Sequence, residues 1–421
     1  MNNPHGGEAE AATRETQAAL KLLNADAVRE RCGRIMAAAE AGNAAHFTWH
    51  GDRLDACADY VLGVMRKRFP DLNVPIHSRR RHFEAGGVDR WSNLIAQHGL
   101  SGAERARVGI DLTLPSVLLD AGAGASWEYY DDTNHKGFSR SEGLGVASFD
   151  MFVAGTFSAD KSKPLRSDAA ALMQIATDDV ERGFQVDANN PLVGVKGRVN
   201  LLRRLGAAAR ANPAVFGAPA RLGNLFDHLA ARSTDGKIPA TLLLETLLHA
   251  LGPVWPGRLE IGGVDLGDCW KHPCAEADAN DPTDGLVPFH KLTQWLAYSL
   301  LEPLAEGGLE VTDLDRLTGL PEYRNGGLLL DFAVIAPRDA NLHTRALTVD
   351  DPAIVEWRAL TVIGLDRLAE RIRAKLGLDA TSLPLARVLE GGTWTAGRKI
   401  AAERRPGGAP PLNIVSDGTV F

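Results

Sequence analysis

Between Pro288 and Phe332 the chain reads PFHKLTQWLAYSLLEPLAEGGLEVTDLDRLTGLPEYRNGGLLLDF. Leu292, Trp295, Leu296 and Leu300 recur at helical spacing, which predicts a helix over 288–306 with one face in a core. His290, Lys291 and Gln294 fall on its first turns, at the edge of that face. Further on, Glu322 and Arg324 flank Tyr323, and Pro321, Asn325, Gly326 and Gly327 predict a turn around them. Acid, base and cation placed at the ends of a buried helix are the material of a small-molecule site. On residue pattern alone two readings of the pair stay open. Lys291 can be a solvated helix charge and Glu322 a cap of the next helix, or both can do chemistry.

The same 3.6-residue rhythm extends outward. It predicts helices over 26–42 (capped by Asp26), 51–69, 142–155, 167–183, 194–211, 238–251, 351–375 and 383–403. The chain should start loosely up to Glu15. Residues 75–87 predict a loop or short helix, and 112–131 a short strand pair. WPGR (255–258) and NDPTDG (280–285) are loops, EGGTWTAGR (390–398) a turn, and PPLNIVSDGTVF (410–421) an extended tail. With no solenoid period and no βαβ alternation, the expected fold is mainly helical with short β elements.

Bulk properties narrow the function. The 421 residues are 45% hydrophobic and 24% charged, ordinary values for a globular chain. A net charge of -7 argues against duplex nucleic acid as partner, because phosphate contacts want a basic surface. The N-terminus lacks a basic, then apolar, leader, and no stretch has the length of a membrane helix. Cys32, Cys57, Cys269 and Cys274 make no disulfide framework for a chain this long. The expectation is a cytoplasmic protein with no membrane association.

Three other segments carry candidate groups. SRSEGLGVASFDMF (139–152) sets Arg140, Glu142 and Asp150 among small residues, with Asp150 wedged between Phe149 and Met151. A carboxylate in such a run is paired or functional, whereas Glu142 also suits a capping box. SRRRHF (78–83), with Arg79 first of three arginines, suits an anion or a solvated basic turn. GGVDLGDCWKHPC (262–274) offers Cys269, His272 and Cys274, but the spacing is wrong for a zinc knuckle, so no metal is expected. Asp265, Asp268 and Trp270 in that loop read as a ligand-facing turn or a capping cluster. GxSxG, Walker, HExxH and GxGxxG motifs are all missing.

The motifs SRRRHFEAGGVDR, SRSEGLGVASFDMF, GPVWPGRLEIGGVDLGD, LTGLPEYRNGGLLLDF, VEWRALTV and SDGTVF resemble the uracil catabolism protein 4 family, over about Leu23 to Phe421. That resemblance implies a place in pyrimidine-ring breakdown. From about Pro191 onward the order of features is also similar to the queuosine salvage protein, a queuosine 5'-phosphate N-glycosylase. It implies a DNA-glycosylase-like, helix-hairpin-helix type core over 191–421. A helical lobe over 16–190 would pack with it as one compact unit, after a flexible 1–15. The carry-over runs through FHKLTQ, PEYR and VEWR. Lys291 and Gln294 match the family's lysine and glutamine, and Tyr323 and Arg324 its tyrosine and arginine. Glu322 falls on its catalytic aspartate, one methylene longer here.

Together the resemblances imply an N-ribosyl hydrolase that cleaves a ring-opened uridine product, ribosylurea or its 5'-phosphate, to urea and the ribose moiety. Glu322 and Lys291 are the expected catalytic pair. Asp150, Arg140, Asp268, His290, Gln294, Tyr323, Arg324 and Arg79 are expected to bind substrate. No cofactor and no metal is implied; the partner is a small ribosylated molecule, with or without phosphate. Two alternatives keep other classes open: an amidohydrolase acting on the ureido group, and a non-catalytic nucleotide-binding partner of a pathway enzyme.

Overall fold

The computed structural model describes residues 13–120, 122–124, 126–255 and 259–415. Part of WPGR, all of SDGTVF and the first twelve residues lie outside this range. Residues 13–20 are already helical, so the loose start does not reach Glu15. The chain is mainly helical with short strands, as its periodicity predicts. It forms two compact units, each made of discontinuous segments. The described residues of 1–77, 257–294 and 313–420 make the first, and those of 78–256 and 295–312 the second. The division falls inside the helix Lys291–Glu306, between Gln294 and Trp295.

The first unit is built on the helix Pro352–Leu376, whose Ile354, Val355, Trp357, Leu360, Leu365 and Leu368 are buried. Asp351 caps it through the Ala353 amide, Pro352 takes the first position, and Gly377 ends it in the left-handed region at φ 66°. It packs on the helices Ala25–Glu40 and Leu54–Arg68. The first of these is capped by Asn24, whose side chain accepts the Ala27 amide at 2.8 Å. Asp26 is therefore not the cap but part of the first turn. Four two-stranded pairs complete the unit. Phe47–Trp49 runs antiparallel to Ile335–Pro337, and Ala346–Thr348 pairs in parallel with Asn413–Val415 from the expected extended tail. Glu260–Ile261 with Val264–Asp265, and Cys269–Lys271 with Leu286–Pro288, are antiparallel.

Two glycine-rich segments read as turns are helical instead. EGGTWTAGR belongs to a π-helical turn, Leu389–Thr393, running on into the helix Trp394–Arg404. Its Gly391 lets the backbone meet Met65 and Val74, where a β-carbon would lie 2.9 and 3.0 Å from their side chains. Asn325, Gly326 and Gly327 lie inside the helix Tyr323–Asp331. A β-carbon on Gly326 would sit 2.5 Å from the Trp357 indole. In both places glycine serves close packing, which sequence cannot distinguish from turn chemistry.

In the second unit the helices Gly102–Leu118, Arg140–Val153, Val195–Ala211 and Ala240–Leu251 carry most of the apolar core. Residues 112–118 are helical, so the strand pair falls later, as an antiparallel hairpin of Tyr129–Asp131 with Lys136–Phe138. The helix expected over 167–183 breaks at Ile175, which is extended at ψ 131°, into Ala169–Gln174 and Thr177–Gly183. Lys237–Pro239 pairs in parallel with Glu310–Thr312, just after the helix Lys291–Glu306. Among the described residues no helix is long and apolar enough to cross a membrane.

Candidate active site

Pairing of Cys269–Lys271 with Leu286–Pro288 sets Cys269 opposite Pro288, and so brings Asp268 to the start of the helix Lys291–Glu306. The Phe289 and His290 amides reach the Asp268 carbonyl at 2.9 and 3.3 Å, with His290 in the left-handed region at φ 49°. The Asp268 carboxylate accepts four further bonds. Lys291 N–H donates at 3.0 Å, Trp270 Nε1 at 2.7 Å, and the Arg358 guanidinium grips both oxygens at 2.8 Å each. Burial alone would raise this carboxyl. The Arg358 charge and hydrogen bonds, then Trp270 and Lys291, outweigh it and hold Asp268 well below the usual carboxylate range. With each oxygen accepting two bonds, Asp268 anchors the helix start.

Glu322 caps the helix Tyr323–Asp331, its carboxylate accepting the Arg324 and Asn325 amides at 2.7 and 2.6 Å. The capping alternative is therefore realised. It does not remove Glu322 from chemistry, since each oxygen keeps a second lone pair. Burial raises the Glu322 carboxyl, while the two amides, then the Lys291 and Arg324 charges, oppose the rise. Lys291 is buried rather than a solvated helix charge, at 7% exposure, and its charge acts on Glu322. Structure thus brings together the two residues that the sequence paired.

The other expected ligands of this unit are engaged by protein groups. His290 Nε2 hydrogen-bonds the Leu22 carbonyl at 2.9 Å, and burial lowers its pKa, so it is a neutral donor tying down the chain before Asn24. Gln294 is fully buried, and its amide brackets Thr318: the oxygen accepts the Thr318 amide at 2.8 Å and the nitrogen donates to the Thr318 hydroxyl. Arg324 donates to the Gly408 carbonyl at 2.8 Å and stacks over Tyr323, 4.9 Å from the ring centre. His290 Nε2 and the Gln294 amide are thus engaged by backbone and by Thr318.

The second unit holds Asp150, Arg140 and Arg79. Asp150 is paired, accepting the Tyr129 hydroxyl at 2.7 Å; burial raises its carboxyl against the pull of that bond. It lines a cavity of about 790 Å³ together with Tyr129, Lys161, Gln174 and Arg182. Arg140 is exposed at the first position of its helix. Arg79 is completely buried, with Asp120 at 3.0 Å, Ser116 at 2.8 Å and the Ser299 hydroxyl on its amide at 3.0 Å. Arg80 pairs with Glu306 at 2.6 Å and Arg81 with Glu302. Arg80 and Arg81 therefore clamp the later turns of the helix Lys291–Glu306, while the buried Arg79 Nη2 has no hydrogen-bond partner among the described residues. Apart from Glu84, which meets Arg81 at 3.1 Å, the carboxylate partners of the arginine run lie far off in sequence, which is why the run resembles an open anion site.

Arg358 is the residue that sequence reasoning missed as part of the site. Its signal was VEWR, where a basic residue stands inside an otherwise apolar helix face; such a charge is buried only when paired.

Comparison with known proteins agrees with the extent of these motifs. The family described as "Protein of unknown function (DUF1688)" matches residues 21–421, and the chain belongs to it. A protein of Lachancea kluyveri named "Uracil catabolism protein 4" is 40% identical over 412 residues, covering 90% of this chain and 93% of its own. "Protein urg3" of Schizosaccharomyces pombe is 37% identical over 415 residues, covering 96% of this chain and its own full length.

Proposed function

We propose that this chain is an N-ribosyl hydrolase of uracil catabolism, acting on ribosylurea or its 5'-phosphate. One observation carries the reading: a part-buried carboxylate, Glu322, is held by two helix amides with the Lys291 charge acting on it. The name of the Lachancea relative supplies the pathway. The choice of bond, and of a DNA-glycosylase-like helical core, rests on the resemblance of FHKLTQ, PEYR and VEWR to motifs of queuosine 5'-phosphate N-glycosylase.

Cleavage of an N-glycoside develops positive charge on the sugar at C1', and a fixed carboxylate stabilises that charge without reorganising. Glu322 faces this charge and orients the attacking water. Water's oxygen bonds to C1', the C1'–N bond breaks, and the departing ureido nitrogen gains a proton. Lys291, fixed at the helix start by Asp268 and Arg358, holds the leaving group or the sugar phosphate. Tyr323 and Arg324 border the substrate. The molecule bound is small, and no nucleic acid is required.

Purified protein is incubated with synthetic ribosylurea and its 5'-phosphate, and urea and ribose are followed by mass spectrometry. Release of both products, lost in Glu322→Gln, supports the proposal. Ammonia with the sugar–nitrogen bond intact would instead identify an amidohydrolase, and binding without turnover a regulatory partner.

A further inference from the structure

We propose that His46, His272 and Glu356 of the first unit form a binding site for a divalent transition-metal ion of the zinc class. Three remote segments bring these groups together. Glu356 projects from the helix Pro352–Leu376, His46 stands just before the strand Phe47–Trp49, and His272 follows the strand Cys269–Lys271. One ligand atom from each lies within 4.8 Å of the other two. His272 Nε2 and Glu356 Oε2 are 3.5 Å apart. With metal–ligand bonds of about 2.0–2.1 Å, a tetrahedral ion spaces neighbouring donors by roughly 3.3–3.4 Å, so this pair is slightly wider than the edge of such a site and a small side-chain shift would close it.

Two independent features ask for a cation there. Glu356 is fully buried, its oxygens accept the Ala45, His46 and Phe47 amides at 3.2, 3.1 and 2.7 Å, with the His46 amide also 3.3 Å from Oε2, and among the described residues no lysine or arginine is paired to it. A buried carboxylate without a countercharge is costly. Beside it, His272 is 2% exposed and its Nε2 has no hydrogen-bond partner among the described residues. One ion would satisfy both. Two imidazoles and a carboxylate with a fourth position open is a donor set that zinc takes, whereas magnesium and calcium prefer all-oxygen sites. The spacing of Cys269, His272 and Cys274 argued against a metal because the partners of His272 are not in its own loop.

Binding has a local cost. His272 Nδ1 accepts the Cys274 amide at 3.2 Å, which puts the ring proton on Nε2 in the metal-free chain. The ion displaces that proton, and the ring gives up this long hydrogen bond as Nδ1 takes one up.

The site stands apart from the hydrolase reading and is tested without it. Full-length protein, freed of metal with a chelator, is titrated with Co²⁺. One equivalent should give the visible absorption of tetrahedral cobalt, and Zn²⁺ should abolish it. His46→Ala, at the least buried ligand, should weaken binding by at least about tenfold, and so should His272→Ala, with circular dichroism confirming that each is folded. A folded wild-type protein that gives no stoichiometric cobalt spectrum would overturn the site. Affinity unchanged in both folded variants would do the same.

Discussion

Arg358 holds Asp268 through its two terminal guanidinium nitrogens at 2.8 Å, and Asp268 in turn accepts the Lys291 amide at 3.0 Å. The ion pair therefore fixes the backbone from which the Lys291 side chain departs. The guanidinium also lies over the Phe289 ring at 4.1 Å, so its position is set from two directions.

Arg358→Ala should destabilise the fold by about 3–5 kcal/mol, because it strands a carboxylate in a largely water-excluded place. Chemical denaturation measures it. Asp268 is held below its ordinary value, so its contribution is present above about pH 3.9 and fades as pH falls toward the depressed value. The variant should lose that part of the acid dependence as well.

Glu322 as helix cap and Glu322 as the proposed catalytic carboxylate can be tested separately. Glu322→Ala removes the cap and should cost about 0.5–2 kcal/mol, while Glu322→Gln keeps one acceptor oxygen and should cost less. If the carboxylate serves hydrolysis, both variants should lower kcat by about 10²–10⁴-fold. Because burial raises this carboxyl, the acid limb of the wild-type rate should lie above about pH 4.3. The stability effect has the opposite sense: the unfolded carboxyl ionises first, so stability falls as pH rises through that window, and Glu322→Gln should flatten the fall.

Close helix packing gives a paired test. A β-carbon on Gly397 would lie 2.8 Å from the Arg324 carbonyl carbon and closer still to its oxygen, whereas one on Gly63 meets nothing within 4 Å. Gly397→Ala should destabilise by about 1–3 kcal/mol through overpacking. Gly63→Ala, inside the helix Leu54–Arg68, should stabilise by about 0.5–1 kcal/mol. Thermal melts of the two variants should move in opposite directions.

The arginine clamp predicts another contrast. Arg79→Ala leaves the Asp120 carboxylate without its 3.0 Å partner and should cost about 3–5 kcal/mol. Exposed Arg140 should tolerate alanine within about 0.5 kcal/mol. Equal losses in urea titrations would show that the burial of Arg79 does not decide its role.

Much of the architecture was legible because amphipathic periodicity is a local property. The helices Val195–Ala211, Ala240–Leu251 and Pro352–Leu376 lie within two residues of the spans their spacing predicts. The errors share one cause. Gly326, Gly391 and Gly392 read as turn residues, yet they are helical positions where another element comes close, and that neighbour is remote in sequence. The break at Ile175 likewise interrupts an amphipathic pattern that had no local stop signal.

By itself the sequence determined the helical class and the positions of most helices, since each depends on spacing along one element. Tertiary structure alone decided what every buried charge faces. Asp268 meets Arg358, Arg79 meets Asp120, and Glu356 meets His272 and the amides of residues 45–47. A charge can be buried only where a partner cancels its lost hydration, and that partner is chosen by packing in space, not by distance along the chain.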